Sequence, residues 1–327
     1  MSTTLSSVHL MNLLEYAACK GLDPAPLRRL LYTPESELTG EQGRVTLDEY
    51  RQVWEQLLRL SGDPHLGLHF GCFLNLKGLG LIYRISLETS SIGQAMSLLE
   101  TYLNRTFPVV RLVTGVSRDH FLIELHSDLP NDTIRRQVLD SVLFLMVREL
   151  GVMIEGEIDE VQLPGEDLTE YRRLCPAPVA RAEVHRLRLD ARQVAGEINR
   201  RRLKNIEMLL PAFLRLVDRS AGGPVCFAEQ VRLMTLSLCS PELPGLDEVV
   251  AQFAMSHRTF QRRLTDERTS FRAIADDLKR QLSEFLEQGH SLGTQDIAYI
   301  LGYSGPSAYL HAVKKWRTRR PADRAAA

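Results

Sequence analysis

The sequence predicts an α+β N-terminal domain followed by an all-α C-terminal domain with two helix-turn-helix units joined by a long helix. Three observations carry this expectation. Short alternating apolar runs at 109–116, 120–126, 161–163 and 184–189 lie among amphipathic helices, without the regular strand-helix repeat of a parallel sheet. Ser220-Ala-Gly-Gly-Pro224 then breaks the chain. Beyond it the strand signals stop and a helix-turn-helix pattern occurs twice. The expected division is 1–219 for the first domain, 220–224 for a linker and 225–327 for the second domain.

Within the first domain, residues 8–31 hold a helix with Leu10, Leu13, Leu14 and Ala17 on one face. Gly21 stops it, and Asp23-Pro24 starts a short helix through Leu30. Thr46 to Leu60 is amphipathic through Leu47, Tyr50, Val53, Trp54, Leu57 and Leu58, and Ser61-Gly62-Asp63-Pro64 punctuates its end. The glycine-studded stretch 67–86 contains a G-x-G at Gly78 and Gly80. It lacks the strand-turn-helix context of a dinucleotide or P-loop site, so close packing is expected there. Ser91 caps a helix running to about Leu103. Thr133 to Val152 is the most apolar helix and the expected centre of the first core. Asn199 to Val217 is again helical, with an interruption expected at Pro211.

The chain has 327 residues, 44% hydrophobic and 25% charged, enough for about two domains that each bury a core. Its net charge of −1 excludes a uniformly basic nucleic-acid binder, so any such surface must be local. From Ser240 onward there are 13 Lys/Arg against 11 Asp/Glu. From Gly302 onward the bias sharpens to Lys314, Lys315, Arg317, Arg319, Arg320 and Arg324 against Asp323 alone. The cysteines, Cys19, Cys72, Cys175, Cys226 and Cys239, are odd in number with no C-x-x-C pair, which reads as reduced core thiols. The N-terminus lacks a signal-peptide pattern and no apolar run approaches the roughly 20 residues of a membrane span, so a cytoplasmic protein with no membrane partner is expected.

The second domain begins with a helix over Val225 to Leu238, with Val231, Met234 and Leu238 facing inward. The second unit runs from Ile297 to Trp316. Thr294 is expected to cap its first helix, Gly302 supplies a turn that costs other residues strain, and Pro306 suits the first position of the next helix. Tyr309, Val313 and Trp316 share an inward face, opposite Lys314 and Lys315. Laying this unit on residues 246–264 exposes the repeat. Phe253 matches Leu301, Ala254 matches Gly302 and Ser256 matches Ser304. With one extra residue in the later copy, Phe260 matches Tyr309, Arg262 matches His311 and Leu264 matches Val313. Between the copies Ser270 caps a long helix ended by Gly289, with Ile274, Leu278, Leu282, Phe285 and Leu286 on its buried face. It forms a rod of about 27 Å. A DNA turn is about 34 Å, so the two units can enter successive major grooves on one side of a duplex.

These residues resemble the AraC/XylS family of bacterial transcription regulators. The resemblance rests on Met255-Ser-His-Arg-Thr-Phe-Gln-Arg-Arg-Leu264, on Ile297-Ala298, Leu301-Gly-Tyr-Ser304 and Pro306-Ser-Ala-Tyr309, and on Lys314, Trp316 and Pro321 at the family's spacing. It spans about Phe227 to Arg324. The N-terminal domain resembles the arabinose-binding-type domain of one branch of that family, through Ser61 to Leu68, Gly78-Leu-Gly80 and the helix after Ser91. The resemblance implies a DNA-binding regulator, activator or repressor, with a sensing or dimerisation domain at the N-terminus. Double-stranded DNA and RNA polymerase are the implied partners, with a small-molecule effector or a second copy of the chain at the N-terminal domain. No cofactor, metal or catalytic residue is expected. Arg258, Gln261, Arg262, Ser307 and His311 are the expected base readers. Ser256, Arg263, Ser304, Lys314, Lys315, Arg317, Arg319 and Arg320 are the expected phosphate contacts.

This chain departs from the family's pattern at Leu310 and His311, where a small polar residue and an arginine are usual, and at Arg268, where glycine is frequent. Thr318 and Arg324 stand where a glycine and an aromatic residue are expected. Arginine and glutamine grip guanine or adenine edges bidentately, at about 1–3 kcal/mol of discrimination each. Leucine offers only apolar contact. The first unit is therefore expected to read sequence and the second to hold phosphates.

Other constellations weigh less. His65 and His69 stand at i and i+4, but Leu-Gly-Leu lies between them without an acidic base, so a metal site is not expected. Residues 199–204, Asn-Arg-Arg-Arg-Leu-Lys, read as a solvated helix face. Glu155, Glu157, Asp159 and Glu160 read as a loop rather than catalytic carboxylates. Two further readings stay open: a regulator acting mainly by protein contact with weakened DNA binding, and a small-molecule-processing enzyme fused to a helical module.

Overall fold

The computed structural model describes residues 3–40, 42–218, 226–239, 242–289 and 292–323, with side chains undescribed at 289 and 317–323. The expected linker, 220–224, lies outside the described residues. The N-terminal part is mixed α+β and the C-terminal part is helical.

The chain opens with β1 (Thr4–Ser6), which pairs antiparallel with β2 (Arg44–Thr46) around α1 (Ser7–Cys19), α2 (Ala25–Arg28) and α3 (Glu35–Leu38). The helix α4 (Leu47–Ser61) starts at a reciprocal cap, where Thr46 Oγ1 accepts from Glu49 N and the Glu49 carboxylate accepts from Thr46 N. It ends at Gly62, whose φ of 60° is left-handed. Next come α5 (Leu66–Phe73), α6 (Asn75–Glu88) and α7 (Ile92–Thr106), the last capped by Ser91. Gly67 and Gly71 stand one turn apart on α5. A Cβ at either would run into the backbone of α8 (Asp132–Met153) at Gln137 or Ser141, so these glycines let the two helices approach closely. Tyr16, Trp54, Phe70 and Phe73 form an aromatic cluster beside this contact, with ring centroids 5.1 to 6.5 Å apart.

A five-stranded sheet completes the N-terminal part. Its strands are β3 (Arg111–Ser117), β4 (His120–His126), β5 (Glu160–Leu163), β6 (Val179–Arg181) and β7 (His185–Asp190), in the order β3-β4-β7-β5-β6. All neighbours are antiparallel except β5 and β6. The short helices α9 (Thr169–Leu174) and α10 (Ala191–Ala195) flank it. Ile123, Leu125, Leu187 and Leu189 are buried on one face, as the alternation requires.

The helix α11 (Arg200–Asp218) corrects one expectation, for it runs unbroken through Pro211. Pro211 is exposed, and so is Glu207 one turn earlier, whose carbonyl is the one that loses its donor. The exposed face at 199–204 carries contacts that the sequence does not show. Arg200 donates to the carbonyls of Ser86 (2.6 Å) and Thr89 (2.8 Å), and Arg202 to that of Gly151 (2.5 Å). Arg200, Arg201, Arg202 and Lys204 are exposed, and from that face Arg200 and Arg202 also tie off the C-terminal ends of α6 and α8, where helix carbonyls lack donors.

The C-terminal part comprises α12 (Phe227–Ser237), α13 (Leu246–Gln252), α14 (His257–Asp266), α15 (Phe271–Gly289), α16 (Thr294–Ile300) and α17 (Pro306–Asp323). Ile274, Leu278, Leu282 and Leu286 are buried along α15, at about 1.5–3 kcal/mol for each fully covered side chain. Apolar packing continues from the N-terminal part into these helices. Asn75 Nδ2 of α6 donates to the carbonyl of Leu238 at the end of α12 (3.1 Å), and Arg215 of α11 lies over the Phe285 ring of α15 (5.2 Å). Among the described residues no single helix is long and apolar enough to cross a membrane.

Candidate nucleic-acid interface

The helices α13 and α14 meet through Phe253 to Ser256, and α16 and α17 through Leu301 to Gly305. In the first pair, Ser256 Oγ accepts from Thr259 N (3.2 Å) and so starts α14 at a defined residue. Phe260 and Leu264 are buried, and Phe260 meets Phe227 and Phe253 at 5.3 and 5.7 Å. With that face fixed inward, Arg258, Gln261 and Arg262 are exposed together at i, i+3 and i+4. Thr265 continues the face one turn later, and the sequence reading missed it. Extending the repeat by one residue, to pair Thr265 with Lys314, would have found it.

In the second pair, Gly302 has φ of 70° and Pro306 occupies the first helical position, as expected. Thr294 is not the cap. It is the first residue of α16, and the Asp296 carboxylate accepts from Gly293 N (3.2 Å), satisfying the backbone without the threonine. Tyr309 is buried with its hydroxyl 2.7 Å from both Ser283 Oγ and Glu287 Oε1 of α15, and its ring is 6.5 Å from that of Trp316. Ser307, Leu310, His311 and Lys314 are consequently exposed, at the same relative positions as Arg258, Gln261, Arg262 and Thr265. The Leu310 side chain leaves 53% of the residue in solvent.

The expected phosphate contacts divide. Ser256 and Lys314 lie on the exposed faces, and Arg263 is exposed with its guanidinium 3.9 Å over the Phe227 ring. Lys315 instead turns toward α15, where Nζ is 2.9 Å from Asp276 Oδ2, so it does not share the exposed face of Lys314. Ser304 is exposed but separated from α17 by Gly305, and it lines a cleft facing α8, α9 and α11. Arg317, Arg319 and Arg320 fall on the last turns of α17, and their side chains lie outside the described ones.

Charged groups of the N-terminal part reach the first pair across that cleft. Arg148 Nη2 is 3.9 Å from Glu248 Oε1, and Arg173 Nη1 donates to the carbonyl of Asp247 (3.4 Å). Asp247 also pairs with His257 Nε2 at the start of α14 (3.2 Å). Arg201 of α11 stacks over the Tyr299 ring of α16 (4.7 Å).

His69 proves to be a structural ion-pair group. Its Nδ1 is 2.7 Å from Asp63 Oδ2 and its Nε2 3.1 Å from Glu170 Oε1, while Lys20 Nζ completes the cluster at Asp63 (2.9 Å). Burial opposes the charge, but the bonds to Asp63 and Glu170 outweigh it and hold the imidazole above its ordinary value. His65 stands apart, with its ring 5.3 Å from that of Tyr171. Asp159 pairs with His120 and Glu160 with Arg188.

Residues 21–198, more than half of the chain, match the "Arabinose-binding domain of AraC transcription regulator, N-term". The chain belongs to this family of transcription regulators. It is 22% identical over 267 residues to the HTH-type transcriptional regulator VqsM of Pseudomonas aeruginosa, covering 76% of this chain and 80% of that one. The ornithine utilization regulator of the same organism is 22% identical over 303 residues, 88% of this chain and 86% of its own. The crystal structure of the transcriptional regulator CdpR, also from P. aeruginosa, covers 94% of each chain at 19% identity with a TM-score of 0.44. Family membership gives the N-terminal part the identity of a ligand-binding domain and the whole chain that of a transcription regulator.

Proposed function

We propose that the chain is a sequence-specific DNA-binding transcription regulator, controlled through its N-terminal domain by a small molecule. The α13–α14 and α16–α17 pairs act as helix-turn-helix units; α14 reads base edges and α17 chiefly holds phosphates. The observation that carries this reading is the exposed row Arg258, Gln261 and Arg262 on a helix whose opposite face, Phe260 and Leu264, is buried. Such a row fits a major groove, where its arginine and glutamine side chains meet guanine and adenine edges. The matching row on α17 offers Ser307, His311 and Lys314 around an apolar Leu310, which suits backbone contact with little base information. RNA polymerase and a second copy of this chain belong to the same proposal as partners.

Selection of bound fragments from a random DNA pool tests the reading. Recovery of a recurrent motif is expected, and recovery of none would overturn it. Exposed Leu310 favours a second reading, in which α17 meets a protein and DNA binding is weak. A salt titration separates the two. Phosphate contacts give a log-log slope of about −0.9 per phosphate neutralised, whereas docking through Leu310 gives a shallow one.

A further inference from the structure

A cavity of 220 Å³ lies in the N-terminal domain, walled by α1, α4, α5, α6, α7 and α8. One water needs only about 10–15 Å³ on this measure, so the space suits a metabolite-sized molecule. Its wall is mainly apolar, with Phe70, Leu99, Leu103, Val142, Leu145 and Met146 contributing. Exposed Val8 and Arg84 belong to the same wall and mark the side on which it meets solvent.

Among the residues of this wall, two polar atoms are buried without a partner. They are Oε1 of buried Glu149 on α8 and Nε2 of His9 on α1. Glu149 reaches its position because α6 carries glycine opposite it, for a Cβ at Gly78 would collide with Oε1. Leaving such atoms dry costs free energy that a ligand with a complementary group would recover. Lys77, the cation of the inner wall, is already engaged by Asn12 and Glu15.

We propose that this cavity takes an uncharged, mainly hydrocarbon molecule bearing a carbonyl or similar acceptor, to which the carboxyl O–H of Glu149 donates a hydrogen bond. Burial pushes the Glu149 carboxyl up to about 8 and holds the His9 imidazole down to about 4, so both are neutral near pH 7. A carboxylate or ammonium ligand would bring a charge that neither of them balances. The other ionisable groups on the wall are Tyr50 of α4, Lys77 and Arg84 of α6 and Tyr102 of α7. The inference rests on the reading that a small molecule controls this regulator. The helix α6 supplies a physical route, because it lines the cavity through Lys77, Gly78 and Leu81 and is tied to α12 through Asn75 and the Leu238 carbonyl.

Calorimetric titration of the full chain with straight-chain 2-alkanones, and with alkanoates and alkylamines of equal length, tests the site without DNA. Saturable binding of the ketone is expected, about tenfold tighter than either charged homologue. Glu149→Leu is expected to weaken it about tenfold, and Glu149→Gln, whose amide N–H still donates, to retain it. Ketone binding should weaken as pH rises through about 8 in the parent and stay level in Glu149→Gln. Preference for the amine or alkanoate, absence of ketone binding, or indifference to Glu149→Leu would each overturn the proposal. The Leu variant removes an unsatisfied buried acid, so its unfolding midpoint should rise, which shows that it folds. A parallel DNA titration with and without ketone reads the control separately. Ketone binding that leaves DNA affinity unchanged would support the site and overturn the control reading.

Discussion

The two helix pairs of the C-terminal part are copies of one pattern whose faces have been filled differently. On α14 the exposed row is Arg258, Gln261, Arg262 and Thr265, and on α17 it is Ser307, Leu310, His311 and Lys314. The hidden faces differ as well. The first is closed by the rings of Phe227, Phe253 and Phe260, and the second by a tyrosine whose hydroxyl is shared with Ser283 and Glu287 of α15. Two copies with the same spacing of outward residues along the second helix can therefore hold different tasks. Spacing fixes which residues face outward, and chemistry at those residues decides what they can grip. The pairs also sit differently toward the ligand-binding domain. Asp247 and Glu248 of α13 meet Arg173 and Arg148, whereas the second pair meets that domain through the Arg201 and Tyr299 stack. An effector that shifts α8 or α9 would act first on the pair proposed to read sequence.

The largest expected effect comes from breaking the apolar face of the first pair. Phe260 is fully buried among aromatic rings, so Phe260→Ala should cost about 3–5 kcal/mol in denaturant unfolding. Tyr309→Phe keeps the ring and removes one hydroxyl, and should cost about 1 kcal/mol. Equal costs would mean that the two pairs share a closing device after all. Between these extremes lies the test of reading. Arg262→Ala should remove about 1–3 kcal/mol of discrimination between operator and random duplex. His311→Ala should weaken binding to both duplexes alike and by less. Competitive titration against each duplex measures both variants, and a uniform loss for Arg262→Ala would erase the proposed division of labour.

How much of this the sequence shows depends on the range of the interaction involved. Thr46, Ser91, Ser256 and Ser270 declare helix starts because a cap needs only three residues of context. The β3 and β4 pair is equally visible, since its alternation and its turn lie together in the chain. The insertion of β7 between β4 and β5 is not, because that pairing spans dozens of residues and leaves no local trace. The same distinction sorts the candidate site. Arg258, Gln261 and Arg262 follow from helical periodicity, and the structure brings them to one face. Lys315 was misplaced because its direction is set by Asp276, on a different helix. The environment of Ser304, and the tether from Arg148 and Arg173, depend on how the N-terminal part meets α13 and α16, which no motif encodes. The Pro211 interruption failed for a physical reason, since a proline on a solvated helix face costs one backbone bond that water replaces.

The smallest expected effect concerns the link between the pairs, where Arg268 stands at a position for which the family resemblance leads one to expect glycine. Its φ is 57°, left-handed, and it closes α14 through a bond from its N–H to the Thr265 carbonyl (2.8 Å), while Thr269 N donates to the Leu264 carbonyl (2.9 Å). A side chain in this conformation costs roughly 1–2 kcal/mol, and glycine would remove that strain. Glycine also enlarges the unfolded ensemble, which returns about 0.5–1 kcal/mol of the gain. Arg268→Gly should therefore stabilise the chain by about 0.5–1 kcal/mol, read as a small rise in the unfolding midpoint. Because Arg268 is exposed beyond the end of α14 and outside its reading row, discrimination between operator and random duplex should not change. If discrimination fell while stability rose, the arginine would itself be a base or shape contact, and the reading surface of the first pair would extend into the turn that leads to α15.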